Sequence, residues 1–256
     1  MQEYKTVKDL GRIISLFNTF LSEEISVMEI SKSLKMLPSK VSRMLGTMEK
    51  EGFLEKNPNT KKYRLGIQFF ELGMVYAFHL PLRKIIRPHI EQMAKELNLT
   101  VGWAILRDNK VIVVDRIQNM NIDLLAQRIG LNLPIHTTAI GKLLLAYLSE
   151  EDQNRILGTI DLKRLTDATI VDKKSIKKNL RIVRERGYAT DEGETHKDLN
   201  GIAAPIKNAN GNVIAAIHLM GENPRTRAQE LFQFASYLKE KAIFISRQLG
   251  YFSLEI

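Results

Sequence analysis

The sequence predicts an α+β protein of two units, and three observations carry that reading. Residues up to Leu65 show helical apolar periodicity and then two short extended runs around a polar turn. Val- and Ile-rich runs at 100–107, 110–117, 202–207 and 213–219 come in pairs, each pair separated by a few turn-forming residues. Helical patterns flank these pairs without strand–helix–strand alternation, so the sheet is antiparallel with helices packed against it.

In the first unit, Thr6 to Phe20 places Val7, Leu10, Ile13, Ile14 and Phe17 on one face. Ser26 and Glu29 have the spacing of a capping box, which opens a helix that turns Ile30 and Leu34 inward. Leu37-Pro38 breaks that helix, and another restarts within about one turn, so the two meet at a steep angle. The restarted helix holds Val41, Met44, Leu45 and Met48 on its apolar face. Its other side carries Ser39, Lys40, Ser42, Arg43, Thr47 and Lys50, and Gly52 ends it. Two short strands follow around Asn57-Pro58-Asn59-Thr60, the second bringing Lys61, Lys62 and Arg64.

Helix, tight turn, helix and basic wing make a DNA-reading arrangement, with the second helix entering the major groove and wing cations meeting phosphate. The candidate DNA-binding residues are Ser39, Lys40, Ser42, Arg43, Thr47, Lys61, Lys62 and Arg64. A polar stripe is also what a solvated helix face looks like, and winged helices that bind no DNA exist. Charge agrees with a polyanionic partner: the 256 residues carry a net +9. Residues 38–64 hold seven Lys or Arg against three Glu, which places the basic focus at the wing, with the remaining excess spread thinly.

The absence of cysteine excludes disulfides, thiolate metal sites and a cysteine nucleophile. No apolar run approaches the ~20 residues that span a bilayer, and no signal-peptide pattern opens the chain, so a cytoplasmic location is expected. The five histidines form no close pair of metal-ligand spacing, and no phosphate loop or nucleophile elbow appears. No catalytic residue, metal or cofactor is therefore expected.

After the wing unit at 1–65, residues 66–80 read as a linker helix apolar almost all round, closed by Pro81. Such a helix needs cover on several sides, which a second subunit would provide. The larger unit, 81–256, opens with a helix from Leu82 to Asn98 and two strands joined at Asp108-Asn109. A strand is expected over Ile122–Arg128, loop over Gly130–Pro134, and helices over Thr137–Tyr147 and Glu150–Leu157. Asp172 caps a helix that Gly187 ends, and Tyr188 to Glu194 is extended and acidic. The Asn-Gly turn within 208–212 joins two apolar strands, and Thr226 to Leu249 closes the chain as one long amphipathic helix.

Four stretches resemble the IclR family of bacterial transcriptional regulators over essentially the whole chain. They are the winged segment closing in KKYRLGIQFFELG, HTTAIGKLLLAYL at His136–Leu148, RERGYATDEGETHKDLNGIAAPI, and NANGNVIAAIHLMGE. The resemblance implies a winged helix-turn-helix, a linker helix and a GAF-like domain that binds a small metabolite, an organic or aromatic acid. It also implies a homodimer or dimer of dimers, and two recognition helices ~34 Å apart on double-stranded DNA would demand a palindromic or near-palindromic operator. Carried over, the effector site is Ala139, Ile140, Asp191, Gly201, His218 and Met220. Members commonly have Cys at the place of Gly201 and small hydroxyl residues near His218 and Met220, so this pocket has walls of its own.

The residues speak to that site as well. Ala139, Ile140 and Gly141 would offer backbone N–H groups at a helix start, a natural carboxylate site. Asp191 is either an acceptor for a ligand hydroxyl or a solvated carboxylate in an acidic loop. His218 is either a satisfied core histidine or a hydrogen-bonding partner of an anion. Asp191, Glu192 and Glu194 lack any feature that would place acid–base chemistry there, and solvation accounts for them. A small-molecule enzyme carrying an accessory winged domain is the alternative function.

Overall fold

The computed structural model describes residues 2–17, 24–119, 130, 132–222 and 227–252. The chain divides into two compact units, Met1–Leu80 and Pro81–Ile256.

The first unit has α1 (Gln2–Phe17), α2 (Val27–Leu34), α3 (Pro38–Lys50), β1 (Leu54–Lys56), β2 (Tyr63–Leu65) and α4 (Ile67–His79). Ser26 caps α2 through the full box, its Oγ accepting from the Glu29 N–H while the Glu29 carboxylate accepts from the Ser26 N–H at 2.7 Å. Lys35 then turns left-handed, with φ 52°, and Pro38 fills the first turn of α3, where its missing N–H costs nothing. The fold centres on Ile13, Ile25, Ile30, Val41, Leu45, Leu54 and Tyr63. Ile25 bridges Tyr63, so the wing is anchored to the chain ahead of α2 as well as to β1.

The second unit contains α5 (Pro81–Leu97), β3 (Thr100–Arg107), β4 (Lys110–Ile117), β5 (Asn132–Leu133), α6 (Ala139–Ala146), α7 (Glu150–Thr159) and α8 (Lys173–Arg186). After these come β6 (Ala189–Glu192), β7 (Leu199–Lys207), β8 (Val213–Glu222), α9 (Ala228–Phe232) and α10 (Ala235–Gln248). The sheet order is β5-β4-β3-β8-β7-β6, with every neighbour antiparallel. Strand alternation divides the core in two. Val101, Trp103, Ile202, Ile217 and Leu219 face α5 and α10, while Ala104, Val113, Ala203 and Ala216 face α6 and α8. A bulge at Trp103/Ala104 turns Asp115 toward α5, where it is buried and bound by Arg83 at 3.0 Å and Arg87 at 2.7 Å.

Three expectations change. Within 130–134 a short strand forms, because Asn132 and Leu133 pair with Ile112 and Val111 at the edge of β4. The closing helix is two pieces, α9 and α10, with Phe234 outside both at ψ 1°. The acidic 188–194 stretch is largely buried, for reasons given below. The expected strand over 122–128, the end of the first helix at Phe20 and the start of the last at Thr226 lie outside the described residues, as does the side chain of Val7. No helix among the described residues is long and apolar enough to cross a membrane.

Candidate functional site

On α3 the apolar face is spent inward and the polar face is open. Ser39, Ser42, Arg43 and Thr47 are exposed, and Arg43 has no side-chain partner among the described residues. Thr47 turns its hydroxyl back on the Arg43 carbonyl at 3.1 Å. Lys40 departs from the expectation of a groove donor: it is half-buried and its ammonium is bound to Asp9 of α1. That bond leads the influences that hold Asp9 below the usual carboxylate range. Asp9 also accepts from Arg12 of the same helix at 3.3 Å, while the Lys40–Asp9 bond ties α1 to α3.

The wing is built around Asn57, whose Oδ1 accepts from the N–H groups of Asn59 and Thr60 at 2.9 and 3.2 Å. Glu24 clasps it from outside, accepting from Asn57 Nδ2 at 2.6 Å and Thr60 Oγ1 at 2.7 Å. Of the wing cations, Lys61 is exposed in a left-handed conformation with φ 57°. Lys62 stands 3.9 Å from Glu29, and Arg64 pairs across the hairpin with Glu55 at 2.7 Å. Both pairs are solvent-exposed and weak, so phosphate can displace the carboxylates.

The six residues expected at the effector site come together in one pocket of the second unit. Its walls are Leu133, Thr138, Ala139, Ile140, Asp191, Leu199, Asn200, Gly201, His218, Leu219 and Met220. Sheet register explains the convergence: Asp191, Gly201 and Met220 are successive cross-strand partners on β6, β7 and β8. Thr138 caps α6, its Oγ1 accepting from the Gly141 N–H at 3.1 Å and donating to the Pro134 carbonyl at 2.8 Å. Gly141 is thus removed from the expected trio of free amides. The N–H groups of Ala139 and Ile140 have no acceptor among the described residues.

Asp191 is buried, yet its carboxylate is already filled. Oδ1 accepts from the backbone of Glu194 at 2.8 Å and Thr195 at 3.3 Å, and Oδ2 from the Thr195 hydroxyl at 2.6 Å. Burial still pushes its pKa above the usual value, against the pull of those donors. This carboxylate shapes the loop after β6 instead of waiting in solvent. Glu194 lies beside it, also buried, and binds the ammonium of Lys142. Burial raises the Glu194 carboxyl to about 7 despite that lysine. Thr166 and Thr169 complete the assembly by donating to the carbonyls of Gly193 at 2.6 Å and Glu194 at 2.7 Å. The expected solvation is overturned for Asp191 and Glu194, while Glu192 between them is exposed as expected. Lys142 escaped notice in the sequence, though a lysine in the otherwise apolar AIGKLLLA signals a buried partner.

His218 lies on the pocket face of β8, opposite Gly102 of β3 and Ala203 of β7. A Cβ on Gly102 would come 2.7 Å from His218 Nε2, so the glycine makes room for the ring. Burial, with nearby Arg116, lowers the imidazole pKa to about 4, leaving a neutral ring whose buried Nε2 has no partner among the described residues. At Gly201, in contrast, an added Cβ would meet Ala139 and Asp191 at ordinary distances of 3.6 and 3.7 Å. That glycine leaves space in the pocket; the backbone does not require it.

A winged helix-turn-helix unit joined in one chain to an α+β unit with a small pocket has the make-up of a DNA-binding transcriptional regulator. Comparison with known proteins gives the particular family. Residues 10–58 match the IclR helix-turn-helix domain, and residues 74–247 match the bacterial transcriptional regulator IclR C-terminal domain. The chain belongs to the IclR family of transcriptional regulators. It is 30% identical over 247 residues to the HTH-type transcriptional regulator XynR of Escherichia coli K12, covering 96% of this chain and 98% of that protein. It is also 30% identical over 228 residues to the regulator KdgR of the same organism, covering 89% and 87%. These relatives are named as regulators and not as enzymes, which decides against the enzyme alternative. Among solved structures, Thermotoga maritima IclR superposes with a TM-score of 0.70 at 26% identity, over 97% of this chain and 100% of that one. An IclR homolog from Microbacterium hydrocarbonoxydans, complexed with 4-hydroxybenzoate, gives 0.78 at 24% identity over 95% and 98%.

Proposed function

We propose that this regulator binds a palindromic or near-palindromic operator as a homodimer or dimer of dimers, and that a small organic or aromatic acid in the second unit modulates its operator affinity. The observation that carries the effector reading is the pocket itself, where two unclaimed helix-start amides and an unpartnered neutral imidazole line one small space. The amides of Ala139 and Ile140 take the ligand carboxylate, aided by the positive end of α6. His218 can donate or accept, and serves the polar end of the ligand. Gly201 gives it room, Met220 adds an apolar wall, and Asp191 acts by fixing the loop that closes the site. The 4-hydroxybenzoate of the Microbacterium homolog is an acid of this general kind, carrying a carboxylate at one end and a hydroxyl at the other.

On DNA, Ser39, Ser42 and Arg43 address base edges, while Lys61, Lys62 and Arg64 meet phosphate. Lys40 holds the helix to Asp9 of α1, and Thr47 turns its hydroxyl back on the helix's own backbone. The dimer reading rests on α4, none of whose residues is buried although Ile67, Phe70, Leu72, Met74, Val75, Tyr76 and Phe78 are all at least 44% exposed. A protein acting on the chromosome works in the cytoplasm.

The test is a titration of operator DNA with and without candidate acids, 4-hydroxybenzoate first, paired with ligand titrations with and without DNA. A ligand that shifts one affinity must shift the other by the same factor, typically 5- to 150-fold, or ~1–3 kcal/mol. If no acid from a broad panel binds the protein or changes operator affinity, the effector reading fails.

A further inference from the structure

The second unit carries a cationic surface that neither the wing nor the pocket uses. Residues 81–256 hold 26 Lys or Arg and 20 Asp or Glu, an excess of six. Helix α8 alone holds seven Lys or Arg and one Glu. The rest of the unit is therefore balanced at 19 of each, and its whole positive surplus sits on one fourteen-residue helix. This corrects the expectation that the surplus is thinly spread.

The placement is regular. Ile176, Leu180 and Val183 are buried in the core beneath, which fixes the helix's rotation. At 3.6 residues per turn, Lys173, Lys174, Lys177, Lys178, Arg181 and Arg184 then fall within an arc of about 140° that also takes in Glu185 and runs from beside the buried stripe round to the opposite side. None of the six forms an ion pair among the described residues, and all but the half-buried Lys177 are exposed. Lys177, Arg181 and Arg184 line a shallow concavity against α7, in which Glu150 is the one carboxylate and pairs with none of them.

Stability does not explain this pattern. Lys173 and Lys174 stand in the first turn, at the positive end of the helix dipole, where a carboxylate would be favoured. Lys173–Lys177, Lys174–Lys178 and Lys177–Arg181 are like-charge pairs four residues apart, which oppose helix formation. Elsewhere in the unit, matched spacings are used in the ordinary way, as between Arg87 and Glu91 on α5 and between Arg155 and Asp152 on α7. A row of cations kept against local electrostatics is what a polyanion requires.

We propose that the α8 face is a second, sequence-independent DNA-backbone surface. The row from Lys174 to Arg181 runs about 10 Å along the helix axis at ~1.5 Å per residue, enough to meet several phosphates of a duplex. Four of its six cations are lysines, compact point charges that suit backbone phosphate and carry little base discrimination, so the row reads charge above sequence. Duplex DNA is already the partner of this regulator's first unit. A chain held there keeps its second unit tethered to the same DNA, and the raised local concentration favours duplex over an acidic protein in free solution.

The experiment measures binding of the full chain to random-sequence duplex DNA over a salt series. It compares wild type with a Lys174→Gln/Lys177→Gln/Lys178→Gln/Arg181→Gln variant, and with a variant carrying arginine at the three lysines. Each phosphate contact contributes ~0.9 to the slope of log affinity against log salt. The glutamine variant should lose about 2 to 4 from that slope with a melting temperature no lower than wild type, and the arginine variant should keep the slope. A Lys61→Gln/Lys62→Gln variant in the same series reports on the wing, so failure there is separate from failure of α8. Equal slopes for wild type and the α8 glutamine variant overturn the proposal. So does a variant that keeps its DNA slope while losing affinity for polyglutamate, which would make α8 an acidic-protein surface.

Discussion

Arg43 is exposed on α3 while its neighbour Lys40 is drawn down to Asp9, so of these two cations it is Arg43 that stands open to a partner. Arg43→Ala is expected to cost ~1–3 kcal/mol at the operator and to relax preference at one position. The ratio of operator to scrambled-DNA affinity measures this, and an unchanged ratio removes Arg43 from the base readers. Glu194 gives a pH prediction. Its folded pKa, about 7, lies above the ordinary 4.5, so the native state holds the proton more tightly than the unfolded chain. The associated stability is fully present below about 4.5 and is lost as pH rises through 7. Its size is on the order of 3 kcal/mol. Urea denaturation at pH 5 and pH 8 should show the loss in wild type and a smaller one in Glu194→Gln, whose amide oxygen still accepts from Lys142. An identical pH response in both proteins would assign the effect elsewhere.

At the scale of elements, two glycines separate structural need from pocket space. Gly66 precedes α4, and a Cβ there would stand 2.2 Å from the Gly52 carbonyl oxygen, at the point where the Gly66 N–H bonds to Phe53. Gly66→Ala must push the wing and α4 apart and is expected to destabilise the first unit by ~1–3 kcal/mol or more. Gly201→Ala meets only ordinary contacts, so its melting temperature should stay near wild type while acid affinity falls as the pocket narrows. Thermal melts with ligand titrations test both, and a stable Gly66→Ala protein with normal operator affinity would contradict the steric argument.

For the whole molecule, exposed α4 is the feature that a monomer leaves unexplained. Native mass spectrometry of wild type should give an even number of subunits, and Phe70→Glu with Phe78→Glu should shift the population toward monomer. Paired recognition helices read half-sites ~34 Å apart, so the same variant should lose operator affinity while Arg43 stays intact. A doubly substituted protein that remains dimeric and binds normally would place the interface on another surface.

Local rules were enough for much of this fold. The Ser26 box, the Asp172 and Gly187 ends of α8, the turn at Asp108-Asn109 and the hairpin around Asn208–Asn212 all depend on residues within five positions of one another. Their hydrogen bonds and φ signs are therefore legible in sequence. The same holds for the reading helix, whose apolar spacing orients its polar face. The proposed effector residues were named through family likeness, because sheet register, not nearness in sequence, aligns Asp191, Gly201 and Met220. Tertiary structure alone decided the electrostatics. Lys40 meets Asp9 across 31 residues, and Lys142 meets Glu194 across 52, so no local pattern records either pair. Burial then changes the chemistry of Glu194, Asp191 and His218, since the cost of desolvating a charge depends on what the fold packs around it. The cationic row of α8 was present in the letters throughout, but only the packing of Ile176, Leu180 and Val183 turns its charges to one side.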